Sequence, residues 1–111
     1  MAESIPRQGD LIVLTFDPQA EHEQRGRRAA LVVSKALFNK RTGLCIACPI
    51  MSTDRDYPFH VAVPRDDGVT GFVMVEQVKS IDYRARKAQR IQKASPALME
   101  EVLSILDACL Y

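Results

Sequence analysis

The strongest constraint on the fold is a run of short apolar segments with turn signals between them, followed by a helical period only after Ser95. The six segments that we predict to be β-strands span residues 10–16, 29–34, 44–50, 59–63, 71–78 and 88–91. Successive parallel strands need crossover helices, and the chain has too few candidate helices for them. The pattern therefore predicts a mainly β (α+β) fold, a curled antiparallel sheet or small barrel with a C-terminal α-helix.

Local signals mark the boundaries of several elements. Ser95 and Pro96 predict the start of the C-terminal helix, because serine is a favoured N-cap and proline a favoured first helical residue. Its apolar stripe comprises Leu98, Val102, Ile105, Leu106 and Cys109. Ser34 is expected to cap a short helix that reaches Asn39, and Gly43 is expected to break the chain after it. Pro49 is expected to end the third strand or to place it at an edge of the sheet.

Length and composition limit the class of protein. The 111 residues suit one domain, taken as 1–111, and an apolar content of 47% with 26% charged residues is ordinary for a globular chain. The longest apolar stretches hold around seven residues, too few to span a bilayer. The polar N-terminus lacks the apolar core of a signal peptide. Three cysteines without a framework spacing fit a reducing compartment, so we expect a cytoplasmic protein with no membrane association.

The sequence offers little for a metal or nucleotide cofactor. Cys45 and Cys48 have the spacing of half a zinc site, but they lie in a predicted strand, where positions three apart face opposite sides. We expect both in the core and Cys109 on the apolar face of the helix. Phosphate-binding loops and the nucleophile motif of serine hydrolases are absent. We therefore expect neither a metal nor a cofactor.

The two histidines have different settings. His60 occupies a polar position of an alternating strand and is expected to be exposed. His22 lies between Glu21 and Glu23 in a polar loop at residues 19–28, so it is a candidate general base. A solvated loop histidine is nevertheless the more common case.

Charge is distributed unevenly, although the net charge is only +1. Arg25, Arg27 and Arg28 cluster at the end of the polar loop. Residues 79–93 hold six cations against one acid, whereas residues 94–111 hold three acids and no base. Two basic clusters in one small domain favour a phosphate-rich partner, since such clusters bind phosphates through many weak charge pairs.

A basic surface of this kind can cleave RNA as well as bind it, because the 2′-hydroxyl of RNA is a built-in nucleophile. Cleavage then requires in-line positioning, two proton transfers and stabilisation of the phosphorane charge, but no metal. The planar fork of arginine suits the last task. Glu21, Glu23 or His22 is a candidate proton acceptor, and Ser52 or Thr53 is a candidate hydrogen-bond donor to the phosphate.

Several segments match one known family in order. They are GDLIVLTFDP (9–18), EQRGRR (23–28), LVVS (31–34), YPF (57–59) and EQVKSIDYRAR (76–86). Asn39, Gly43 and Pro49 fall at the expected spacings between them. In these features the chain resembles the MazF/PemK family of bacterial toxin ribonucleases, from about Gly9 to Leu110.

The resemblance implies an SH3-like curled antiparallel sheet with a C-terminal helix, assembled as a homodimer. It implies a metal-independent, sequence-selective endoribonuclease that acts on single-stranded RNA and leaves a 2′,3′-cyclic phosphate and a 5′-hydroxyl. It also implies a cognate MazE-like antitoxin whose acidic, partly disordered tail covers the RNA surface. A basic face suits both the RNA and such a tail.

By this resemblance the catalytic arginine of the family falls on Arg28 and the preceding glutamate on Glu23. Arg28 is then expected to stabilise the phosphorane or to donate to the leaving 5′-oxygen. The family threonine falls on Met51, which cannot donate a hydrogen bond, so we expect Ser52 to take its role. The family proline after the arginine is replaced by Ala29. The candidates for RNA contact are Arg25, Arg27, Thr53, Gln77, Lys79, Arg84 and Arg86.

Two alternatives come from other functional classes. The first is a catalytically weak or inactive member of the same fold that acts by binding a topoisomerase or a nucleic acid. The second is an SH3-like module that docks nucleic acid or peptide. Glu23 and Arg28 with a hydroxyl near residues 51–53 favour the nuclease, because a topoisomerase-binding protein does not need them.

Overall fold

Seven strands and two α-helices form the part of the chain that the computed structural model describes, which is residues 4–15, 27–52 and 58–111. The strands are β1 (Asp10–Thr15), β2 (Arg27–Val32), β3 (Cys45–Met51), β4 (His60–Ala62), β5 (Phe72–Met74), β6 (Lys79–Ile81) and β7 (Gln89–Lys93). The helices are α1 (Ala36–Thr42) and α2 (Pro96–Leu110).

The strands form one sheet in the order β4-β5-β3-β2-β1-β7, and β6 pairs with β3. These pairings are antiparallel. The predicted fold class, a mainly antiparallel sheet with a C-terminal helix, is therefore confirmed. Within the described ranges, neither helix combines the length and apolar content that a membrane span requires.

Apolar side chains on the two faces of the sheet form two separate clusters. On one face, Leu11, Leu31 and Cys48 pack with Leu98 and Val102 of α2. The opposite face carries Ile12, Leu14, Ala30, Val32, Cys45 and Ala47, which pack with Ile81 of β6 and with Tyr83 from the stretch that joins β6 to β7. The sheet is thus covered by α2 on one side and by this connection on the other.

The start of α2 is confirmed at Ser95, whose hydroxyl accepts a hydrogen bond from the Leu98 amide at 3.3 Å, with Pro96 in the first turn. Leu98, Val102 and Leu106 are buried against the sheet, as their spacing predicts. Cys109 was expected on the same apolar face and is exposed instead. It lies in the last turn of α2, beyond the edge of the sheet cluster that buries the earlier turns.

The long strand predicted over residues 71–78 is wrong. β5 ends at Met74, and a short 3₁₀ turn at Val75–Gln77 redirects the chain into β6. β5 and β6 then pair with different halves of β3, opposite Ile50–Met51 and opposite residues 45–47. The chain turns because two short strands, rather than one long one, complete this side of β3.

The expectation for Pro49 is also wrong, since β3 is a central strand that continues to Met51. Pro49 is opposite Ala30 of β2 on one side. On its other side it falls between the residues that pair with β6 and those that pair with β5. A proline is tolerated there because no neighbouring strand needs its missing amide.

Ser34 does not cap α1, which begins at Ala36 after Lys35. The Ser34 hydroxyl instead donates to Asn39 Oδ1 at 2.5 Å and accepts from the Ile46 amide at 2.7 Å. The predicted chain break at Gly43 is confirmed. Gly43 ends α1 with φ of 75°, a left-handed conformation that glycine adopts without steric cost.

Candidate functional site

Arg28 marks one end of the sheet. It lies in the second position of β2, opposite Leu14 of β1, and not in the polar loop where it was predicted. Its side chain is exposed, and no hydrogen bond or ion pair joins it to another described residue. An arginine held on a paired strand with an uncommitted guanidinium is well placed to receive an anion.

Arg27, the preceding residue, was also expected in the loop, and its side chain leaves the other face of β2 because strand residues alternate. Its guanidinium donates four hydrogen bonds, to Thr15 Oγ1 at 3.2 Å, Val13 O at 3.3 Å, Lys87 O at 3.0 Å and Gln89 Oε1 at 3.4 Å. Arg27 therefore ties β1, β2 and the start of β7 together.

Met51 and Ser52 lie beside Arg28. The ladder of β2 and β3 ends with the pair Ala29 and Ile50, so one further step brings Arg28 level with Met51 on the same face of the sheet. Ser52 follows at the end of β3 and is exposed. The strand ends that carry Arg28 and Ser52 are thus neighbours, at the spacing of about 4.8 Å between paired strands.

One residue of this region, Phe72, was not predicted from the sequence. Phe72 of β5 is opposite Met51 and half-buried, so an aromatic ring stands in the same row of the sheet as Arg28. Aromatic rings next to cations are common in sites for single-stranded nucleic acids, where bases stack on them. The alternation of apolar residues at 71–78 could have indicated Phe72. Because the segment was predicted as one long strand, the pairing of Phe72 with Met51 was missed.

Glu23, Arg25 and Thr53 lie outside the described residues, as do Glu21 and His22. Thr15 and Arg27, which flank residues 16–26 in the chain, are paired with each other across β1 and β2. The segment that carries the candidate bases therefore departs from and returns to the same end of the sheet as Arg28.

The second basic cluster reaches the same end of β1. Arg86 donates from Nη1 to the Thr15 carbonyl at 3.2 Å, and its own carbonyl accepts from the Thr15 amide at 2.9 Å. Arg84 is exposed on the same connection. The two basic clusters, about 60 residues apart in the chain, are therefore joined at Thr15 and through the Arg27–Lys87 hydrogen bond.

Gln77 and Lys79 are exposed but lie farther away. Lys79 is opposite Ala47, four residues along β3 from Met51, which corresponds to about 14 Å of strand. The sheet thus separates the candidates for RNA contact into a group near Arg28 and a group near the start of β6.

His60 was expected to be exposed, and this expectation is wrong. Its side chain is only 1% exposed, and its Nε2 lies 3.0 Å from Glu76 Oε2. The 3₁₀ turn after β5 brings Glu76 over β4, and this contact covers the ring. His60 is therefore part of a polar contact between β4 and this turn.

The cysteines agree with the prediction of opposite strand faces. Cys45 and Cys48 are buried in different apolar clusters. Burial raises the pKa of Cys45 to about 11. Burial, and secondarily the charge of Glu76, raises the pKa of Cys48 to about 12. Among the described residues, no group of three or more potential ligands is arranged to hold a metal.

These pKa values predict that Cys109 alone reacts with a thiol reagent at pH 8 in the folded protein. The buried thiols stay neutral and covered, and neutral thiols are poor nucleophiles. The raised pKa values also contribute stability that is fully present below the unfolded thiol pKa of about 8.5 and is lost as the pH rises toward the folded values of about 11 and about 12. Titration with a chromogenic disulfide should count one fast thiol, and none in Cys109→Ser. Fast reaction in that variant would contradict the burial.

Comparison with known proteins gives consistent results. A family model described as PemK-like, MazF-like toxin of type II toxin-antitoxin system matches residues 7–110. Endoribonuclease toxin MazF of Escherichia coli (strain K12) is 38% identical over 92 residues, 83% of this chain and 82% of that protein. Endoribonuclease PemK of Escherichia coli is 36% identical over 109 residues, 92% of this chain and 80% of that protein.

Solved structures show the same similarity in three dimensions. The crystal structure of MazF (Form-I) from Deinococcus radiodurans has a TM-score of 0.86 and 42% identity, covering 97% of this chain and 98% of that chain. MazE-MazF (Form-III) from the same organism gives a TM-score of 0.87 and 40% identity, with 96% and 97% covered.

Proposed function

This chain is an endoribonuclease toxin of the PemK-like, MazF-like family of type II toxin–antitoxin systems, and we propose that it cleaves single-stranded RNA at specific sequences without a metal. The observation that carries this proposal is the exposed guanidinium of Arg28 beside the end of β3, which no described residue engages in a hydrogen bond or ion pair. We place this reaction in the cytoplasm, with messenger RNA as the substrate.

The proposed reaction uses the RNA's own 2′-hydroxyl. A general base takes the hydroxyl proton, the 2′-oxygen bonds to the adjacent phosphorus, and the P–O5′ bond breaks as the 5′-oxygen gains a proton from Arg28 or from water. The products are a 2′,3′-cyclic phosphate and a 5′-hydroxyl. Arg28 stabilises the negative charge on the phosphorane, Ser52 donates a hydrogen bond to the phosphate, and Glu23 is the assigned base, with Glu21 and His22 as alternatives.

The surrounding cations extend the phosphate-binding surface. Arg86 is placed at the same strand end as Arg28, and Arg84 lies on the same connection. Arg25 and Thr53 are assigned to the RNA from their positions in the sequence. Gln77 and Lys79 would contact a more distant part of the RNA. Arg27 is assigned mainly to holding this end of the sheet together, because its guanidinium is already hydrogen-bonded.

The unusual residue at the candidate site is Met51, and its replacement tests the assignment of Ser52. Met51→Thr places a hydroxyl level with Arg28, so the cleavage rate should be retained or raised by up to about 10-fold. In Ser52→Ala the rate should fall by about 10- to 100-fold, and Met51→Thr should restore it. The measurement is single-turnover cleavage of a labelled RNA. A large loss in Met51→Thr alone would show that Met51 has a role that a hydroxyl cannot fill.

Neutralisation by a MazE-type antitoxin follows from the same surface. We propose that an acidic antitoxin tail covers the cations around Arg28 and competes with RNA for them. Such competition is electrostatic, so it should weaken as salt is raised.

A second copy of this chain is the proposed partner of an apolar groove between α2 and the sheet. The groove, about 340 Å³, is lined mostly by Val33, Ile46, Val78, Leu103, Leu106, Leu110 and Tyr111. Leu110 and Tyr111 are 69% and 97% exposed in the single chain, and exposed apolar patches of this kind mark interfaces. Light scattering should show a dimer for the unmodified protein and a monomer for Leu110→Asp; a dimer in both would place the interface elsewhere.

The experiment that tests the function is incubation of the protein with a long single-stranded RNA in EDTA, beside DNA of the same sequence. Discrete RNA fragments with 5′-hydroxyl and cyclic-phosphate ends are expected, with common bases at the cuts and intact DNA. Intact RNA from folded, dimeric protein would favour the alternative, a member of the fold that acts by binding. The presence of Met51 where the family has threonine is the observation that favours this alternative.

A further inference from the structure

A basic cavity, separate from the surface around Arg28, lies at the edge of the sheet where β7 pairs with β1. It is a cavity of about 520 Å³, lined by residues 4–7 together with Asp10, Arg90 and Lys93. Arg7, Arg90 and Lys93 bring three cations to it, against the single carboxylate of Asp10. Its volume falls within the range of about 300–1,000 Å³ that is typical of small-molecule sites.

Asp10 gives this cavity a hydrogen-bond acceptor that no described residue satisfies. The residue is only 3% exposed, and its Oδ2 accepts from the Arg7 amide at 2.9 Å. Its Oδ1 lies 3.3 Å from Arg90 Nε in an ion pair, but it has no hydrogen-bond partner among the described residues. A buried carboxylate oxygen in this state favours a ligand that brings a donor.

The required ligand therefore carries both a negative charge and a hydrogen-bond donor. A nucleotide has both, because its phosphate suits the cations and a ribose hydroxyl or a base amino group can donate to Asp10 Oδ1. We propose that the cavity binds one nucleotide of the RNA strand that is cut at Arg28. This inference rests on the proposed function for the identity of the strand.

The cavity and Arg28 lie on the same face of the sheet. Arg28 is opposite Leu14 and Arg90 is opposite Ile12, and residues two apart on a strand share a face. Asp10 and Leu14 are four residues apart on β1, about 14 Å along the strand. The connection from β6 to β7 covers Ile12 and Leu14 on this face, so an RNA strand that crosses the outside of the connection can reach both sites.

Cations also line the way between the two sites. A smaller cavity of about 220 Å³ includes Arg84 and Lys87, and it shares Ser4 and Ala88 with the larger one. The Lys87 carbonyl accepts a hydrogen bond from Arg27, which directly precedes Arg28. A positively charged groove of this kind follows a nucleic-acid backbone.

The test removes two cations of the cavity without disturbing Asp10. In Arg7→Ala/Lys93→Ala the amide of residue 7 still donates to Asp10, and Arg90 keeps its ion pair. The control is Lys40→Ala/Arg41→Ala, which removes the same charge from the exposed end of α1. Both pairs are made in Arg28→Ala protein so that the RNA stays intact, and thermal unfolding verifies the fold.

RNA affinity is measured by fluorescence anisotropy over a series of salt concentrations. The cavity pair should bind an RNA of about 20 nucleotides about 10-fold more weakly than the control pair, with a salt slope smaller by about 1.4. The affinity of an RNA limited to the bases at the cut should be the same for both pairs. Adenosine monophosphate should displace the long RNA at lower concentration than inorganic phosphate does, and equal displacement would overturn the role of Asp10.

Equal affinity of the two pairs for the long RNA would overturn the proposal. The parallel cleavage assay, on protein with Arg28 intact, separates this failure from failure of the function. Cleavage without any difference between the pairs refutes the cavity alone. A 10-fold difference without cleavage supports nucleotide binding at the cavity and refutes the nuclease assignment.

Discussion

Replacing Arg28 with alanine is expected to lower the rate of RNA cleavage by about 10³-fold, because the phosphorane loses its main source of positive charge. The free energy of unfolding should stay within about 0.5 kcal/mol of the unmodified value, as for other exposed positions. The side chain is exposed and holds no described residue, so its loss leaves no buried group unsatisfied. Single-turnover cleavage and urea unfolding measure the two quantities.

Two further arginine substitutions serve as controls for this experiment. Arg41→Ala removes an exposed arginine from α1 and should leave the cleavage rate unchanged. Arg27→Ala removes four hydrogen bonds and should lower the free energy of unfolding by about 1–3 kcal/mol. The two adjacent arginines are thus expected to give different phenotypes: loss of Arg28 lowers the cleavage rate, and loss of Arg27 lowers the free energy of unfolding. An unchanged cleavage rate in Arg28→Ala would refute its catalytic assignment.

The largest effect on stability is expected from Asn39→Ala. The Asn39 side chain is fully buried, donates from Nδ2 to Pro6 O at 2.7 Å and to Ser34 O at 3.3 Å, and accepts from the Ser34 hydroxyl. Its loss removes the donor to the Pro6 and Ser34 carbonyls and the acceptor of the Ser34 hydroxyl, and a buried group left unsatisfied costs about 1–3 kcal/mol. We expect the free energy of unfolding to fall by about 3–4 kcal/mol in total.

Urea unfolding measures this change, with Lys40→Ala as the control at the next, exposed position of α1. The control should change stability by less than about 0.5 kcal/mol. A loss of less than about 1 kcal/mol in Asn39→Ala would mean that water replaces the amide at little cost. The Tyr83 hydroxyl bonds to the Asn39 carbonyl, which the substitution retains, so it is not part of the expected loss.

The parts of the fold that the sequence predicted are those with strong local signals. Ser95 and Pro96 mark the start of α2 because an N-cap and a proline act on their own turn. Gly43 ends α1 for a similarly local reason. Cys45 and Cys48 are buried on opposite faces of the sheet, as the two-residue repeat of a strand predicted.

The errors arose where a distant segment decides the local structure. Ser34 has the side chain of a helix cap, but Asn39 and Ile46 take its hydrogen bonds. The segment at residues 71–78 has the pattern of one strand, but two halves of β3 are paired separately. His60 reads as an exposed strand residue until Glu76 covers it.

The same division holds for the candidate site. The sequence by itself determined the class of fold, the basic character of the surface and the choice of Arg28, because those depend on residue type, spacing and family resemblance. Only the tertiary structure decided that Arg27 is hydrogen-bonded into the sheet while Arg28 is exposed and contacts no described residue through a hydrogen bond or ion pair. It also brought Arg7 and Asp10 to Arg90 and Lys93 across about 80 positions of chain, since strand register sets which residues meet.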